Sequence, residues 1–178
     1  MLADSRNLIF VGMPGSGKST VGVLVAKKLG LGFIDTDLLI QQETGRTLQH
    51  IVDQDGYVAL RKAEEQVLLR VNVQQHVLST GGSAVYSDAA MRHLKIGGTV
   101  VFLDISMDTV LARIGDYSLR GISKRPDQSL SELYQERSAL YSRYADLTIQ
   151  GDALNQEQVC DAVIDGLRKT QPKATLNS

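Results

Sequence analysis

Cys160 is the sole cysteine among 178 residues, so the chain can close no disulfide within itself and can build no cysteine-based metal cluster. Tryptophan is absent and all aromatics together reach 5%, too few for the stacking platforms that hold single-stranded nucleic acid. A formal net charge of −1 and a pI near 6.3 leave no overall basic field to attract a phosphate backbone. No apolar run approaches the length of a membrane span. The polar stretch Met1–Asn7 lacks the apolar centre of a signal peptide. What remains is ordinary: 43% hydrophobic and 22% charged residues, in a length that suits one domain with a real core. The expectation is a cytoplasmic monomer with neither nucleic acid nor membrane as partner.

Five short apolar runs read as strands: Leu8–Val11, Gly32–Ile34, His76–Ser79, Thr99–Leu103 and Leu147–Gln150. Between and after them, helices are expected over Val21–Leu29, Leu38–Thr44, Val58–Val73, Ala89–Lys95, Met107–Ile114, Ser131–Ala145 and Asn155–Leu167. Such alternation implies a five-stranded parallel sheet covered on both faces, a three-layer α/β/α fold. Ligands in these sheets gather at the carboxyl ends of the strands. Residues 1–170 are read as a single domain, with an irregular lid over 115–128 and a polar tail over 171–178.

The most informative stretch is Gly12-Met13-Pro14-Gly15-Ser16-Gly17-Lys18-Ser19-Thr20, which fits G-x-x-x-x-G-K-[ST] between a strand and a helix. The glycines let successive N–H groups point inward at phosphate oxygens. Gly15, Ser16, Gly17, Lys18, Ser19 and Thr20 are therefore the expected nucleotide-binding residues. Lys18 is placed on the β- and γ-phosphates of ATP, and the Ser19 hydroxyl on Mg²⁺.

Five further features bear on what receives the phosphate. Asp35-Thr36-Asp37 leaves the second strand with carboxylates at alternate positions, one suited to Mg²⁺ and one to a substrate hydroxyl; the plain alternative makes Asp37 a helix cap. Arg61 and Glu64 stand three apart on one helix face and could simply pair. The turn Thr80-Gly81-Gly82-Ser83 offers bare backbone N–H groups to a ligand, or is only a turn. The segment 115–128 carries Arg120, Lys124 and Arg125, with Gly115 and Gly121 as hinges, the composition of a cationic lid. Beyond it, Arg137 in Glu136-Arg137-Ser138-Ala139-Leu140-Tyr141 suits bidentate capture of a carboxylate.

With those residues in view, the chain resembles the shikimate kinases, within the nucleoside-monophosphate-kinase-like group of P-loop proteins, over roughly Asn7–Leu167. The shared features are the P-loop, Asp-x-Asp, Arg-x-x-Glu, a Gly-Gly turn, an Arg-bearing lid and Glu-Arg-x-x-x-Tyr, in that order. The resemblance implies ATP as donor, Mg²⁺ as cofactor and the 3-hydroxyl of shikimate as acceptor. It puts Asp35 on the Mg²⁺ side and Asp37 at the substrate hydroxyls. Arg61 and Arg137 would hold the carboxylate, Gly82 a hydroxyl through its backbone, and Glu64 would orient Arg61. Arg113 would sit near the adenine, and counting on from it makes Arg120 the lid arginine, with Arg125 second. The chain departs from the family at Ser83, which replaces a third glycine, and at Leu60, where an aromatic is common. A same-fold kinase for another hydroxy or sugar acid such as gluconate, and a non-catalytic nucleotide switch, are the competing readings.

Overall fold

The structure of the protein is a computed structural model, and it describes residues 6–115 and 121–170. Its centre is a five-stranded parallel sheet of β1 (Asn7–Val11), β2 (Gly32–Asp35), β3 (His76–Ser79), β4 (Gly98–Asp104) and β5 (Leu147–Gln150), in the order β2-β3-β1-β4-β5. Side chains alternate across a strand, and β1 shows what that does here. Leu8 and Phe10 enter one core with Val21, Val25 and Ala26 of α1 (Lys18–Leu29) and with Val159, Val163 and Ile164, which lie on the last helix. Ile9 and Val11 enter the opposite core, which takes Leu68, Met91, Val110 and Tyr141 from helices on the other face. Both faces of β1 are dry, so its five residues are all buried and Leu8–Val11 reads as a continuous apolar run.

The strands match expectation to within a residue or two, and the sheet is parallel throughout. The helices differ more. Helix α1 begins at Lys18 rather than Val21, because Gly17 adopts φ 95° and turns the chain directly into the helix. Asp35, not Asp37, caps α2 (Thr36–Thr44): its carboxylate accepts from the Asp37 N–H at 3.0 Å. Helix α3 (Leu48–Asp55) was not expected, since its polar residues mask a face on which Ile51 alone is fully buried. Thr47 caps it by accepting from the His50 N–H.

Helix α4 (Tyr57–Arg70) stops short of the anticipated Val73, and a single 3₁₀ turn, Ala84–Tyr86, follows β3. The remaining helices are α5 (Asp88–Ile96), α6 (Met107–Ile114), α7 (Leu130–Tyr144) and α8 (Gln156–Thr170). Ile40, Ile51, Leu60 and Val67 form a third, smaller core that binds α2, α3 and α4 into a platform beside the sheet edge. Among the described residues no helix is long and apolar enough to cross a membrane.

Candidate active site

The P-loop runs from the end of β1 into α1 and owes its shape to local contacts. The Lys18 ammonium folds back to donate to the Gly12 carbonyl at 2.8 Å and the Met13 carbonyl at 3.0 Å. A Cβ on Gly12 would lie 2.7 Å from the Leu103 carbonyl oxygen and 2.9 Å from Ser16 Oγ, so glycine alone fits there. The first turn of α1 has no side-chain cap, which leaves its N–H groups facing the loop's interior as an anion site. Ser16 Oγ is buried without a partner in the same concavity. Arg113 of α6 crosses to donate to the Gly15 carbonyl at 3.2 Å.

At the outer end of the loop Ser19 Oγ donates to Asp35 Oδ2 at 2.6 Å and lies 3.0 Å from Ser79 Oγ. Strands β2 and β3 pair Asp35 with Ser79, which brings the two together beneath the start of α1. The capping carboxylate and the P-loop serine thus share one place, reached from residues 16 apart in sequence.

A cleft of about 790 Å³ holds the rest. It is lined by the P-loop, Asp37, Leu60, Glu64, Gly81, Gly82, Ser83, Arg113, Ser123, Arg137 and Asn155. Burial lowers the Lys18 pKa to about 8, against the opposing pull of Asp37. Burial, with the negative charge of Asp35 added, raises Asp37 to about 6. Glu64 is only 3% exposed and rises to about 7, first by burial and then by the Asp37 charge. Gly81 sits between the two carboxylates: a Cβ there would lie 2.3 Å from Glu64 Oε1 and 2.7 Å from Asp37 Oδ1. At Gly82 a Cβ would come within 2.5 Å of the Arg137 guanidinium, and the Gly82 carbonyl accepts from Tyr141 Oη at 2.6 Å. Arg137 itself is 1% exposed.

The structure corrects one expectation about Arg61. Glu64 does not orient it. The carboxylate turns instead to Ser83, whose hydroxyl donates to Glu64 Oε2. Arg61 stacks on Tyr86 at 3.6 Å and lies 5.0 Å from the ring of Tyr57, one turn behind it on α4. Its Nε donates to Ser123 Oγ at 2.9 Å, and the Ser123 carbonyl accepts from Arg137 at 2.7 Å and, more distantly, from Arg61 at 3.5 Å. Both guanidiniums therefore converge on one backbone oxygen, although Arg61 lines a smaller cavity of about 330 Å³ that shares Glu64 and Ser83 with the main cleft.

Ser123, Tyr86 and Ser83 act here without having been singled out for these contacts. Only Tyr57 had a readable signal, its i,i+4 spacing to Arg61. Of the lid, Arg120 lies outside the described residues. Arg125 pairs with Glu136 of α7 at 3.1 Å. Gly121, at φ 59°, packs against the start of α3, where a Cβ would lie 2.6 Å from the backbone. Its N–H donates to Gln49 Oε1.

A P-loop at the carboxyl edge of a parallel sheet, facing carboxylates and a buried arginine across one cleft, defines an ATP-dependent small-molecule kinase. The family model for shikimate kinase matches residues 14–168. The shikimate kinase of Mycobacterium avium (strain 104) is 39% identical over 166 residues, covering 91% of this chain and 93% of its own. That of Sulfurihydrogenibium sp. (strain YO3AOP1) is 34% identical over 165 residues, covering 92% and 99%. The solved shikimate kinase from Acinetobacter baumannii in complex with shikimate superposes with a TM-score of 0.84 at 29% identity, covering 94% of this chain and 96% of that one. The chain belongs to the shikimate kinase family.

Proposed function

We propose that the protein transfers the γ-phosphate of ATP to the 3-hydroxyl of shikimate. The observation that carries this reading is the single cleft in which the phosphate loop faces Asp37 and Arg137. Family membership supports the identity of the acceptor.

In this reading the uncapped start of α1 and the backbone of Gly15, Ser16, Gly17 and Thr20 hold the phosphates. Lys18, with a pKa of about 8, stays charged at neutral pH and neutralises the β- and γ-phosphate oxygens. Arg113 borders the nucleoside. Asp37, at about 6, is ionised at pH 7 and takes the proton from the attacking hydroxyl. The new O–P bond forms in line as the bond to the departing ADP breaks, and catalysis is mainly positioning and charge neutralisation. Arg137 holds the shikimate carboxylate, with Arg61 joining it once the Ser123 carbonyl gives way to the ligand. The Gly82 backbone meets a hydroxyl.

For the lid, Arg120 is the group that neutralises the transferring phosphoryl, a choice favoured by the engagement of Arg125 with Glu136. Ser19 and Asp35 fit Mg²⁺, as adjacent hard oxygen donors at the end of the P-loop. Among the described residues no group of three His, Cys, Asp or Glu side chains is placed to hold a metal ion. Bound there, Mg²⁺ would supply charge neutralisation to the transferring phosphate. The described residues 6–115 and 121–170 make one kinase domain, and a cytoplasmic location suits the supply of ATP.

The test is coupled measurement of ADP release with shikimate as sole acceptor, beside gluconate and no acceptor. Shikimate-dependent release is expected. Release indifferent to every acceptor overturns the kinase reading in favour of a nucleotide switch, and preference for gluconate reassigns the acceptor.

A further inference from the structure

Tyr86 ends the 3₁₀ turn after β3 and is held at both ends. At its base Ala84 and Val85 are buried, and its N–H donates to the Ser83 carbonyl at 3.1 Å. The next residue, Ser87, donates its hydroxyl to Glu65 of α4. At the tip, Tyr86 Oη donates to Glu136 of α7, which is fixed in turn by Arg125 at 3.1 Å and Gln128 at 3.2 Å. Between base and tip the ring faces two cations. The guanidinium carbon of Arg61 lies 3.6 Å from the ring centroid and that of Arg137 5.7 Å, both within reach of a cation–π contact. Two guanidiniums that meet at one oxygen repel each other. Burial presses the Arg61 pKa down and the charge of Arg137 adds to that pressure, while Glu136 opposes it. An aromatic ring attracts both cations without carrying a charge that would compete with an anionic ligand. It takes the face of a guanidinium and leaves the N–H edge for oxygens. That edge is what both arginines turn to the Ser123 carbonyl.

We propose that Tyr86 is a positioning residue of the acceptor's carboxylate clamp: its ring holds the Arg61 guanidinium beside Arg137, with the N–H edges of both turned to one point. The idea rests on the proposed role of the two arginines toward that carboxylate. The ring does not touch the reacting atoms and acts through Arg61. Glu136, by taking the Tyr86 hydroxyl, keeps the ring in place.

The test is a double-mutant cycle of Tyr86→Leu with Arg61→Ala, read as the KM for shikimate. Tyr86→Leu is expected to raise that KM about tenfold, the scale of one partly buried cation–π contact, while kcat and the KM for ATP stay within about twofold. Tyr86→Phe keeps the ring and is expected to remain within about threefold of the unaltered protein. With Arg61→Ala already in place, Tyr86→Leu should add less than about twofold, because the two changes remove the same interaction. If Arg61→Ala raises the KM but Tyr86→Leu does not, or if Tyr86→Leu raises it equally with and without Arg61, the proposal is overturned and the carboxylate role of Arg61 stands. If Arg61→Ala leaves the KM unmoved, that role fails and the proposal fails with it. A readout needing neither variant nor turnover is proton NMR of the arginine side chains in the unaltered protein. Stacking shields the Arg61 guanidinium protons through the ring current, so they should lie upfield of those of the exposed arginines. Unshifted Arg61 protons overturn the contact itself.

Discussion

The nucleotide half and the acceptor half of the cleft are built in opposite ways. In the first, Lys18 is held by carbonyls five and six residues away, and the loop, its glycines and the helix that follows form one continuous stretch. In the second, Asp37 comes from α2, Glu64 from α4, Gly81 and Gly82 from the turn after β3, and Arg137 from α7. The contact joining Arg61 to Ser123 spans 62 residues. A phosphate is recognised by repeated backbone N–H groups, which a short segment can present alone. A small hydroxy acid has distinct groups on distinct sides, and only several elements folded together can face them all. Local encoding makes the donor site robust to change elsewhere. Dispersed encoding leaves the acceptor site open to re-tuning by single residues on any of these elements.

The sharpest break in that comparison comes from Lys18→Ala, expected to lower kcat by about 10³-fold or more while circular dichroism and thermal unfolding change little. Retention of activity within tenfold would mean that the phosphates are held elsewhere. Next is Asp37→Asn, for which a loss of about 10²- to 10⁴-fold in kcat is expected. In the unaltered protein the acidic limb of the kcat profile should fall near pH 6, activity being lost as pH drops and Asp37 takes up a proton. A limb that stays put in the variant would assign it to another group.

Arg61→Lys tests the acceptor side more gently. The KM for shikimate should rise about tenfold with kcat little altered, since one ammonium cannot reproduce a planar fork. No change would leave Arg137 as the sole carboxylate clamp.

The smallest effect concerns stability. Asp37 and Glu64 titrate near 6 and 7 in the folded protein, above their ordinary 3.8 and 4.5. Through that window the folded state keeps protons that the unfolded chain has released, so stability falls as pH rises from the ordinary carboxylate range toward 7. Glu64→Gln should remove its share of this slope, raising Tm by a few degrees at pH 8 and little at pH 5 (about 2–4 °C per kcal/mol for a chain of this size). An identical slope in the variant would exclude Glu64 as its source.

Much of the fold was legible because buried parallel strands announce themselves as apolar runs, and Leu8–Val11 is such a run on both of its faces. Helix α3 escaped notice because little of it is buried, and amphipathic patterns report only burial. Candidate site residues could be located by the company they keep in sequence: Asp35 with Asp37, Gly81 with Gly82, Arg137 with Tyr141. Their partners could not. At i,i+3 the Arg61–Glu64 pair looked natural, yet both side chains have other neighbours that arrive from β3's exit and from the segment before α7. A cap was the plain alternative for Asp37, and a carboxylate two residues earlier takes that place because the chain leaves β2 in extended form at Asp35.

By itself the sequence determined the phosphate loop, the alternation of strand and helix, and hence the edge at which ligands gather, since each of these depends on neighbours within a turn or a strand. Only the tertiary structure decided who faces whom across the cleft. Ser83 takes Glu64 and Ser123 receives both arginines because β3, α4, α7 and the 121–125 segment meet at one sheet edge. Hydrogen bonds in a buried site go to the donor or acceptor nearest in space, and nothing in linear spacing tells which that will be.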